Sequence, residues 1–155
     1  MLDWLKKINK EYPEFWKLYL SKFEKKSNRF VVLSTETSGL SLEKDVILSF
    51  GAFSIIDNSV VIGDSFETVV AQYKFFHENG ISNEFTIETK MKKMVEPDAI
   101  YALIDFIGNS VLVGHHIDFD VEMINVALER MDCGRLKNEA LDIEIMHQKL
   151  MDITK

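Results

Sequence analysis

The stretch from residue 30 to residue 56 decides the fold of this chain. It reads FVVL over residues 30–33, STETSGLSLEKD over residues 34–45 and VILSFGAFSII over residues 46–56. Two apolar, β-branched runs flank a polar stretch that contains glycine, which is the pattern of two strands joined by a loop. The stretch therefore predicts a short buried strand, a loop over residues 34–45 and a longer second strand.

Downstream of this stretch, strand and helix patterns alternate. The predicted elements are a third strand in two pieces (60–62 and 65–70, broken at Gly63-Asp64), a helical stretch (88–95), a helix from Pro97 to about Ile107, a strand (111–113), a helix capped by Asp118 (119–131) and a helix capped by Asp142 (143–151). Three antiparallel strands followed by helix, strand, helix and helix are typical of an α/β protein with a mixed sheet. The RNase H-like fold has this order, with helices flanking the sheet.

Residues 1–28 form a helical N-terminal extension in this interpretation, and residues 29–155 form the core domain. Apolar residues recur at helical spacing over residues 2–26, and Pro13 opens a second helix or kinks a single one. The aromatic residues of the extension are predicted to pack against the core: Trp4, Phe15, Trp16, Tyr19 and Phe23.

Composition and charge exclude several classes of protein. The 155 residues are 46% hydrophobic and carry a net charge of −7, as expected for a folded acidic domain. A single cysteine, Cys133, excludes a disulfide framework and is expected to serve packing. No apolar run is long enough to span a membrane and the N-terminus lacks the apolar core of a secretory signal, so a cytoplasmic protein without a membrane partner is expected.

The charge is unevenly distributed along the chain. Residues 1–29 hold eight basic and four acidic residues, whereas residues 30–155 hold ten basic and twenty-one acidic residues. An acidic body argues against broad electrostatic binding of nucleic acid. It is compatible with a metal site, in which bound cations neutralise the carboxylates.

Two polar segments carry the candidate chemistry. Residues 34–40 follow the first strand and include Glu36, and residues 114–120 (GHHIDFD) follow the later strand and open a helix. Ligands in α/β proteins bind at the carboxyl ends of strands, and carboxylates converging there hold hard divalent cations such as Mg²⁺. His115 and His116 are expected to hydrogen-bond the backbone rather than to bind metal.

Together the two segments resemble motifs of a known family. FVVLSTETSGLSLEKDVILSFGAFSI resembles the first motif of the DnaQ-like (DEDD-type) 3′–5′ exonucleases, the family of the proofreading epsilon subunit of DNA polymerase III. VLVGHHIDFDVEMINVAL resembles the second motif, and ALDIEIMHQKL resembles the Asp-Thr stretch that follows it. The resemblance covers about residues 29–151 and implies hydrolysis of terminal phosphodiesters with two Mg²⁺ or Mn²⁺ ions.

The resemblance also assigns roles to individual residues. Glu36 is implied as the second acid of the first motif and Asp120 as the acid of the second, so both are candidate catalytic residues and metal ligands. Ser34 stands where the family has the metal-bridging Asp, which makes it a weakened metal position. The 3′ nucleotide would be lined by Thr35, Thr37, Gly39 and Leu40.

The third motif of the family, a histidine followed five residues later by an aspartate, has no match at the expected place. His147 and Asp152 have that spacing but lie too early, on the predicted last helix, and Asp45 is a weak candidate to replace the charge missing at Ser34. The second motif also has His116 where asparagine is usual. The chain is thus either a piece of a longer exonuclease-like protein or a degenerate member of the family.

Three functions remain open at this point. The first is 3′–5′ exonucleolysis, with DNA favoured over RNA as substrate and a DNA polymerase or another replication or repair protein as partner. The second is a catalytically inactive module that binds a nucleic-acid end or a protein. The third is an interaction protein whose N-terminal helices dock a partner, for which deletion of residues 1–28 would leave the core folded.

Overall fold

A computed structural model describes residues 11–72, 78 and 93–154 of the chain. The elements, in chain order, are α1 (Glu14–Ser21), a short 3₁₀ helix (Lys22–Glu24), β1 (Phe30–Thr37), β2 (Ile47–Ile56), β3 (Ser59–Ala71), β4 (Lys93–Val95), α2 (Glu96–Ile107), β5 (Val111–Gly114), α3 (Ile117–Arg130), β6 (Ala140–Asp142) and α4 (Ile143–Ile153). None of the helices in these ranges is long and apolar enough to cross a membrane.

The strands form one mixed six-stranded sheet in the order β4-β3-β2-β1-β5-β6. β1, β2 and β3 are the predicted antiparallel meander. β5 runs parallel to β1, β6 runs parallel to β5, and β4 runs parallel to β3. The predicted α/β class with a mixed sheet and flanking helices is confirmed. The carboxyl ends of β1 and β5 consequently meet at one edge of the sheet, which places both polar segments there.

The first strand is longer than the sequence predicted. Residues 34–37, assigned to a loop, continue β1 and pair with β2, with Ser34 opposite Gly51 and Glu36 opposite Ser49. Thr35 and Thr37 are β-branched and suit a pleated surface, which favours the strand once a pairing partner is present. The polar residues of the first motif therefore lie on a regular strand.

Three further differences concern strands. Gly63-Asp64 does not break the third strand, which is continuous over Ser59–Ala71 and shifts register there against Phe53 and Ser54 of β2. Residues 93–95, predicted to be helical, form β4, while residues 88–92 lie outside the described residues. β4 and β6 have three residues each, too few to show a period of their own, and both depend on pairing with a longer neighbour.

The hydrophobic core lies on one face of the sheet. Val31 and Leu33 of β1 are fully buried against α2 and α3, whereas Phe30, on the opposite face, is 36% exposed. The apolar stripe of α2 supplies much of this core: Ile100, Leu103, Ile104 and Ile107. The predicted helix from Pro97 to about Ile107 is thus confirmed, with its start one residue earlier at Glu96.

The aromatic stripe of the N-terminal extension packs into the same core. Trp16 and Tyr19 are each 1% exposed, and Phe15 and Phe23 pack against the core while partly buried. The Tyr19 hydroxyl donates to Asn138 Oδ1 at 2.6 Å and accepts from the Lys137 N–H at 2.7 Å. These contacts confirm the packing role predicted for the stripe, except for Trp4, which lies outside the described residues. The expectation that the core folds without the extension stays a prediction, and the fully buried side chains that the extension supplies count against it.

Of three helix starts predicted from Pro13, Asp118 and Asp142, the structure agrees with two. α1 begins directly after Pro13, and Asp142 caps α4 by accepting the Glu144 N–H at 2.9 Å. Asp118 does not cap α3, because that helix begins earlier, at Ile117, after His116 in a left-handed conformation with φ 52°. Asp118 lies in the first turn of α3, where its negative charge interacts favourably with the positive end of the helix dipole.

Gly114, at the end of β5, is required by close packing. A Cβ added there would lie 2.8 Å from the Leu33 carbonyl oxygen and 2.9 Å from Ile117 Cδ1. The absence of a side chain lets β5 and the start of α3 pack tightly against β1. This packing brings the two candidate segments close together.

Candidate active site

The two candidate segments are joined by a direct hydrogen bond. Thr35 Oγ1, on β1, donates to Asp120 Oδ1, on the first turns of α3, at 2.5 Å. The two residues are 85 positions apart in the chain. The structure thus brings together the strand of the first segment and the acid of the second, as the order of the motifs predicts.

Asp120 is a buried carboxylate. It is 8% exposed, and burial raises the pKa of its carboxyl group, while hydrogen bonds from the hydroxyl and the backbone N–H of Thr35 partly oppose that rise. Among the described residues, no Lys, Arg or His forms an ion pair with it. A buried carboxylate without a cationic partner is a strong ligand for a metal cation, which would supply the missing positive charge.

Ser34 and Glu36 lie on one face of β1, because alternate residues of a strand share a face. Both are exposed. Glu36 Oε2 accepts a hydrogen bond from Ser49 Oγ on β2 at 3.1 Å. A Cβ added at Gly51, the residue opposite Ser34, would meet no atom within 4 Å, so the surface beside Ser34 is open. This face can accept a ligand without rearrangement.

The loop after β1 is closed by its own side chains. Asp45 Oδ1 accepts from Ser38 Oγ at 2.7 Å, and Asp45 Oδ2 accepts from the Ser41 N–H at 2.8 Å. These two bonds, the backbone one first, lower the pKa of the Asp45 carboxyl group. A Cβ at Gly39 would lie 2.6 Å from Asp45 Oδ2, so a side chain there would displace the Asp45 carboxylate. Asp45 thus holds the loop together. This structural role accounts for Asp45 without assigning it the negative charge that is missing at position 34.

The remaining candidate substrate residues border this loop. Thr37 Oγ1 donates to the Gly39 carbonyl oxygen at 2.7 Å and so fixes the turn out of β1. Leu40 is 85% exposed and lies beside this cluster of polar groups. Its exposure leaves it available to contact a bound molecule.

Among the described residues, neither Glu36 nor Asp120 belongs to a group of three His, Cys, Asp or Glu side chains whose ligand atoms lie within 4.8 Å of one another. His147 and Asp152 both lie on α4 and are exposed. Five residues of an α-helix turn through about 500°, so these two side chains leave the helix about 140° apart. That divergence argues against His147 and Asp152 as a combined third motif.

His115 and His116 behave differently from the expectation of backbone hydrogen bonds. Both rings are exposed and face Glu144, in the first turn of α4, with Nε2–Oε2 distances of 3.4 and 3.7 Å. Nothing in the sequence indicates a role for Glu144, because its approach to the histidines depends on where β6 places the start of α4.

The comparisons with known proteins agree with this fold. The chain matches the family model RNase_T, described as an exonuclease, over residues 31–151. Because the match covers most of its length, the chain belongs to this exonuclease family, a DnaQ-like family that depends on divalent metal ions.

Relatives in DNA polymerases extend the comparison. The PolC-type DNA polymerase III of Clostridium perfringens is 35% identical over 126 residues, which are 74% of this chain and 8% of the polymerase. The epsilon subunit of DNA polymerase III of Aquifex aeolicus is 25% identical over 117 residues, 72% of this chain and 55% of that subunit. The chain spans 8% to 10% of the length of the two PolC-type polymerases compared, that of Clostridium perfringens and that of Latilactobacillus sakei.

Solved structures of exonuclease I show the same fold. E. coli exonuclease I in complex with a dA16 oligonucleotide has a TM-score of 0.59 and 16% identity, covering 79% of this chain and 30% of that one. The zinc-bound form of its complex with single-stranded DNA has a TM-score of 0.60 and 16% identity over the same shares. The RNase H-like exonuclease fold predicted from the sequence is confirmed.

Proposed function

We propose that this chain hydrolyses terminal phosphodiesters of DNA in the 3′–5′ direction, at a rate reduced by the serine at position 34. The observation that carries the proposal is the Thr35–Asp120 hydrogen bond, which joins the two motifs of the exonuclease family in one site. The direction and the preference for DNA over RNA rest on the motifs and on relatives whose names identify them as DNA polymerases.

The acidic side chains fit a hard divalent cation. Glu36 offers an exposed carboxylate and Asp120 a buried one, and Mg²⁺ is commonly held by one or two carboxylates together with water and substrate phosphate. The uncompensated charge of Asp120 favours a cation at this place. Mg²⁺ or Mn²⁺ bound by Glu36 and Asp120 would neutralise charge on the phosphate and lower the pKa of a coordinated water.

The chain's other residues position the substrate in this proposal. Thr35 holds the Asp120 carboxylate in place through its hydroxyl and N–H groups. Thr37 and Gly39 shape the turn that borders the 3′ nucleotide, and Leu40 packs its exposed side chain against the terminal base. Correct placement of the reacting phosphate accounts for a large part of the catalysis expected from such a site.

Ser34 limits the activity. A neutral hydroxyl replaces the carboxylate that would bridge a pair of ions, and among the described residues neither Glu36 nor Asp120 belongs to a close group of three His, Cys, Asp or Glu side chains. This observation also favours a second candidate function, in which the site binds a nucleic-acid end without cutting it. The two candidates share the binding site and differ in turnover.

We propose in addition that residues 29–155 constitute the exonuclease-like domain and residues 1–28 a helical extension, whose described part, residues 11–28, packs on that domain. A cytoplasmic location and a partner among DNA polymerases or other replication and repair proteins are part of the same proposal. Relatives in DNA polymerase III support that choice of partner.

A nuclease assay on a 3′-labelled single strand, with Mn²⁺ and then Mg²⁺, tests the proposal. The native chain should release terminal nucleotides, and the double variant Glu36→Gln, Asp120→Asn should not. A 5′-labelled strand shortened from its 3′ end in single steps would establish the direction. If the native chain and the variant are equally silent, and the native chain still retains the labelled strand on a filter, the end-binding module is the function.

A further inference from the structure

A second cluster of metal-ligating side chains lies apart from the pair Glu36 and Asp120. It consists of His115 and His116, which connect β5 to α3, and Glu144, in the first turn of α4. Among the described residues it is the group of three His, Cys, Asp or Glu side chains whose ligand atoms all lie within 4.8 Å of one another. The three side chains come from two separate parts of the chain, so their convergence is a property of the fold.

The distances in this cluster match those around a single ion. Glu144 Oε2 lies 3.4 Å from His115 Nε2 and 3.7 Å from His116 Nε2. Two ligands that each lie 2.0–2.1 Å from a tetrahedral zinc ion are about 3.3–3.4 Å apart. The cluster therefore needs only small side-chain adjustments to surround an ion.

The backbone arranges the two imidazoles for this purpose. Consecutive side chains of an extended segment point to opposite sides. His116 instead adopts the left-handed region with φ 52°, and the two ring centroids lie 4.0 Å apart with the planes tilted by 37°. Glu144 is held from the other side, because its N–H is bound by the capping carboxylate of Asp142.

We propose that His115, His116 and Glu144 bind one divalent transition-metal ion of the zinc class. Two imidazole nitrogens and one carboxylate oxygen suit Zn²⁺, Co²⁺ or Ni²⁺, whereas Mg²⁺ prefers oxygen ligands alone. All three side chains are exposed, so the ion keeps at least one position for water. The site is thus distinct in ligand type from the carboxylate pair of the proposed exonuclease site.

The position of the cluster indicates what the ion does. α4 has no buried residue, and its apolar side chains Ile143, Met146 and Leu150 are 47%, 48% and 58% exposed. An ion held by Glu144 and the two histidines would fasten the first turn of this weakly packed helix to the end of β5. We therefore assign the ion a structural role at the C-terminal helix.

Equilibrium dialysis of the full chain against Zn²⁺ in excess Mg²⁺ tests this site, with Co²⁺ absorption as a second readout. One Zn²⁺ should bind per chain, and Co²⁺ should give the visible absorption of a four-coordinate site with nitrogen and oxygen ligands. Glu144→Gln, and separately the pair His115→Gln, His116→Gln, should each weaken Zn²⁺ binding by more than about tenfold. Circular dichroism on each variant checks that it is folded.

Two matched controls separate this site from its surroundings. His147→Gln, on the same exposed helix, and Glu36→Gln, at the proposed exonuclease site, should both leave Zn²⁺ binding unchanged. No saturable Zn²⁺ binding, or binding that survives Glu144→Gln, would overturn the proposal and leave a His–Glu contact without a metal. Loss of Zn²⁺ binding in Glu36→Gln would overturn it by assigning the ion to the carboxylate pair. Because the readout is metal binding, failure of the exonuclease assay has no bearing on it.

Discussion

Thr35 and Asp120 form a 2.5 Å hydrogen bond between β1 and α3, and this bond joins the two halves of the proposed active site. Asp120 is buried, and burial raises the pKa of its carboxyl group. The hydroxyl and N–H groups of Thr35 donate hydrogen bonds that stabilise the charged form against this cost. Ser34 and Glu36 flank Thr35 on β1 and point to the opposite face of the strand, with Glu36 held by Ser49. The proposed active site therefore uses side chains from both faces of β1, Thr35 on one face and Ser34 and Glu36 on the other.

Replacing Thr35 by valine should destabilise the chain and weaken Mg²⁺ binding together. Valine keeps the shape of threonine and removes the hydroxyl donor to a charged acceptor, a bond worth about 1.5–3 kcal/mol. Urea denaturation measures the free energy of unfolding, and calorimetric titration measures Mg²⁺ affinity. Thr37→Val is the matched control: it loses a bond to the neutral Gly39 carbonyl and should cost about 1 kcal/mol without altering Mg²⁺ affinity. Equal effects of the two variants on Mg²⁺ binding would count against the role given to Thr35.

Replacing Leu40 by serine should lower turnover and leave stability unchanged. The side chain is 85% exposed, so its loss should alter the free energy of unfolding by no more than about 0.5 kcal/mol. Removing an apolar contact with the terminal base should lower kcat/KM by about tenfold. Ile62→Ser, at an equally exposed position of β3, is the control and should leave kcat/KM at the native value. A Leu40 variant with native kcat/KM would contradict the predicted contact.

Replacing Asp45 by asparagine should lower the melting temperature at neutral pH and have no effect in acid. The pKa of Asp45 is lowered from its ordinary value of 3.8 by hydrogen bonds from the Ser41 N–H and the Ser38 hydroxyl. A carboxyl group whose pKa is lower in the folded state contributes stability above its unfolded pKa, and that contribution is lost as the pH falls through the folded pKa. Melting curves of the native chain and Asp45→Asn should therefore differ at pH 7 and approach each other as the pH falls from about 4 downward.

Asp45→Asn also distinguishes two roles for this residue. If Asp45 only closes the loop, the variant should keep its Mg²⁺ affinity within about twofold, because surface substitutions change free energies by less than about 0.5 kcal/mol. A large loss of Mg²⁺ affinity would show instead that Asp45 replaces the charge missing at Ser34.

Replacing Tyr19 by phenylalanine should destabilise the whole domain. The hydroxyl group is buried and bridges the extension to residues 137 and 138, so its removal leaves the Lys137 N–H and Asn138 Oδ1 without this partner. Leaving buried polar groups unsatisfied costs about 1–3 kcal/mol. Phe15→Leu, at a partly buried position of the same helix, should cost less. A single cooperative transition that shifts as a unit would show that residues 11–28 fold with the core, whereas an unchanged main transition would show that they do not.

Much of the fold was predictable because its long elements carry their own patterns. β2 and α2 show clear strand and helix periodicity, and Pro13, Pro97 and Asp142 mark helix starts with specific physical reasons. β4 and β6 were not predictable, because three residues carry no period and their conformation depends on pairing with β3 and β5. The extension of β1 to Thr37 was missed because residues 34–45 form one polar run that contains glycine, and only the pairing with β2 shows that its first four residues continue the strand.

The sequence predicted which two segments form the candidate site, but it did not predict how their side chains are arranged in space. The motifs located Glu36 and Asp120, and the strand order placed them at one edge of the sheet. The Thr35–Asp120 bond and the burial of Asp120 depend on the close approach of β5 at Gly114, which the sequence does not show. Glu144 had no signal at all, since only the tertiary structure brings it to His115 and His116.

We propose that the site retains exonuclease geometry and that Ser34 limits its rate, and the rate of the Ser34→Asp variant tests this most directly. The open surface beside Gly51 has room for the longer side chain, and a restored carboxylate supplies several kcal/mol of metal-assisted stabilisation. Release of nucleotides from a 3′-labelled strand in Mg²⁺ should rise by about a hundredfold or more in Ser34→Asp. Ser65→Asp, which adds the same charge on exposed β3, should leave the rate at the native value. A Ser34→Asp variant that is folded, binds Mg²⁺ and cuts no faster than the native chain or Ser65→Asp would contradict the account.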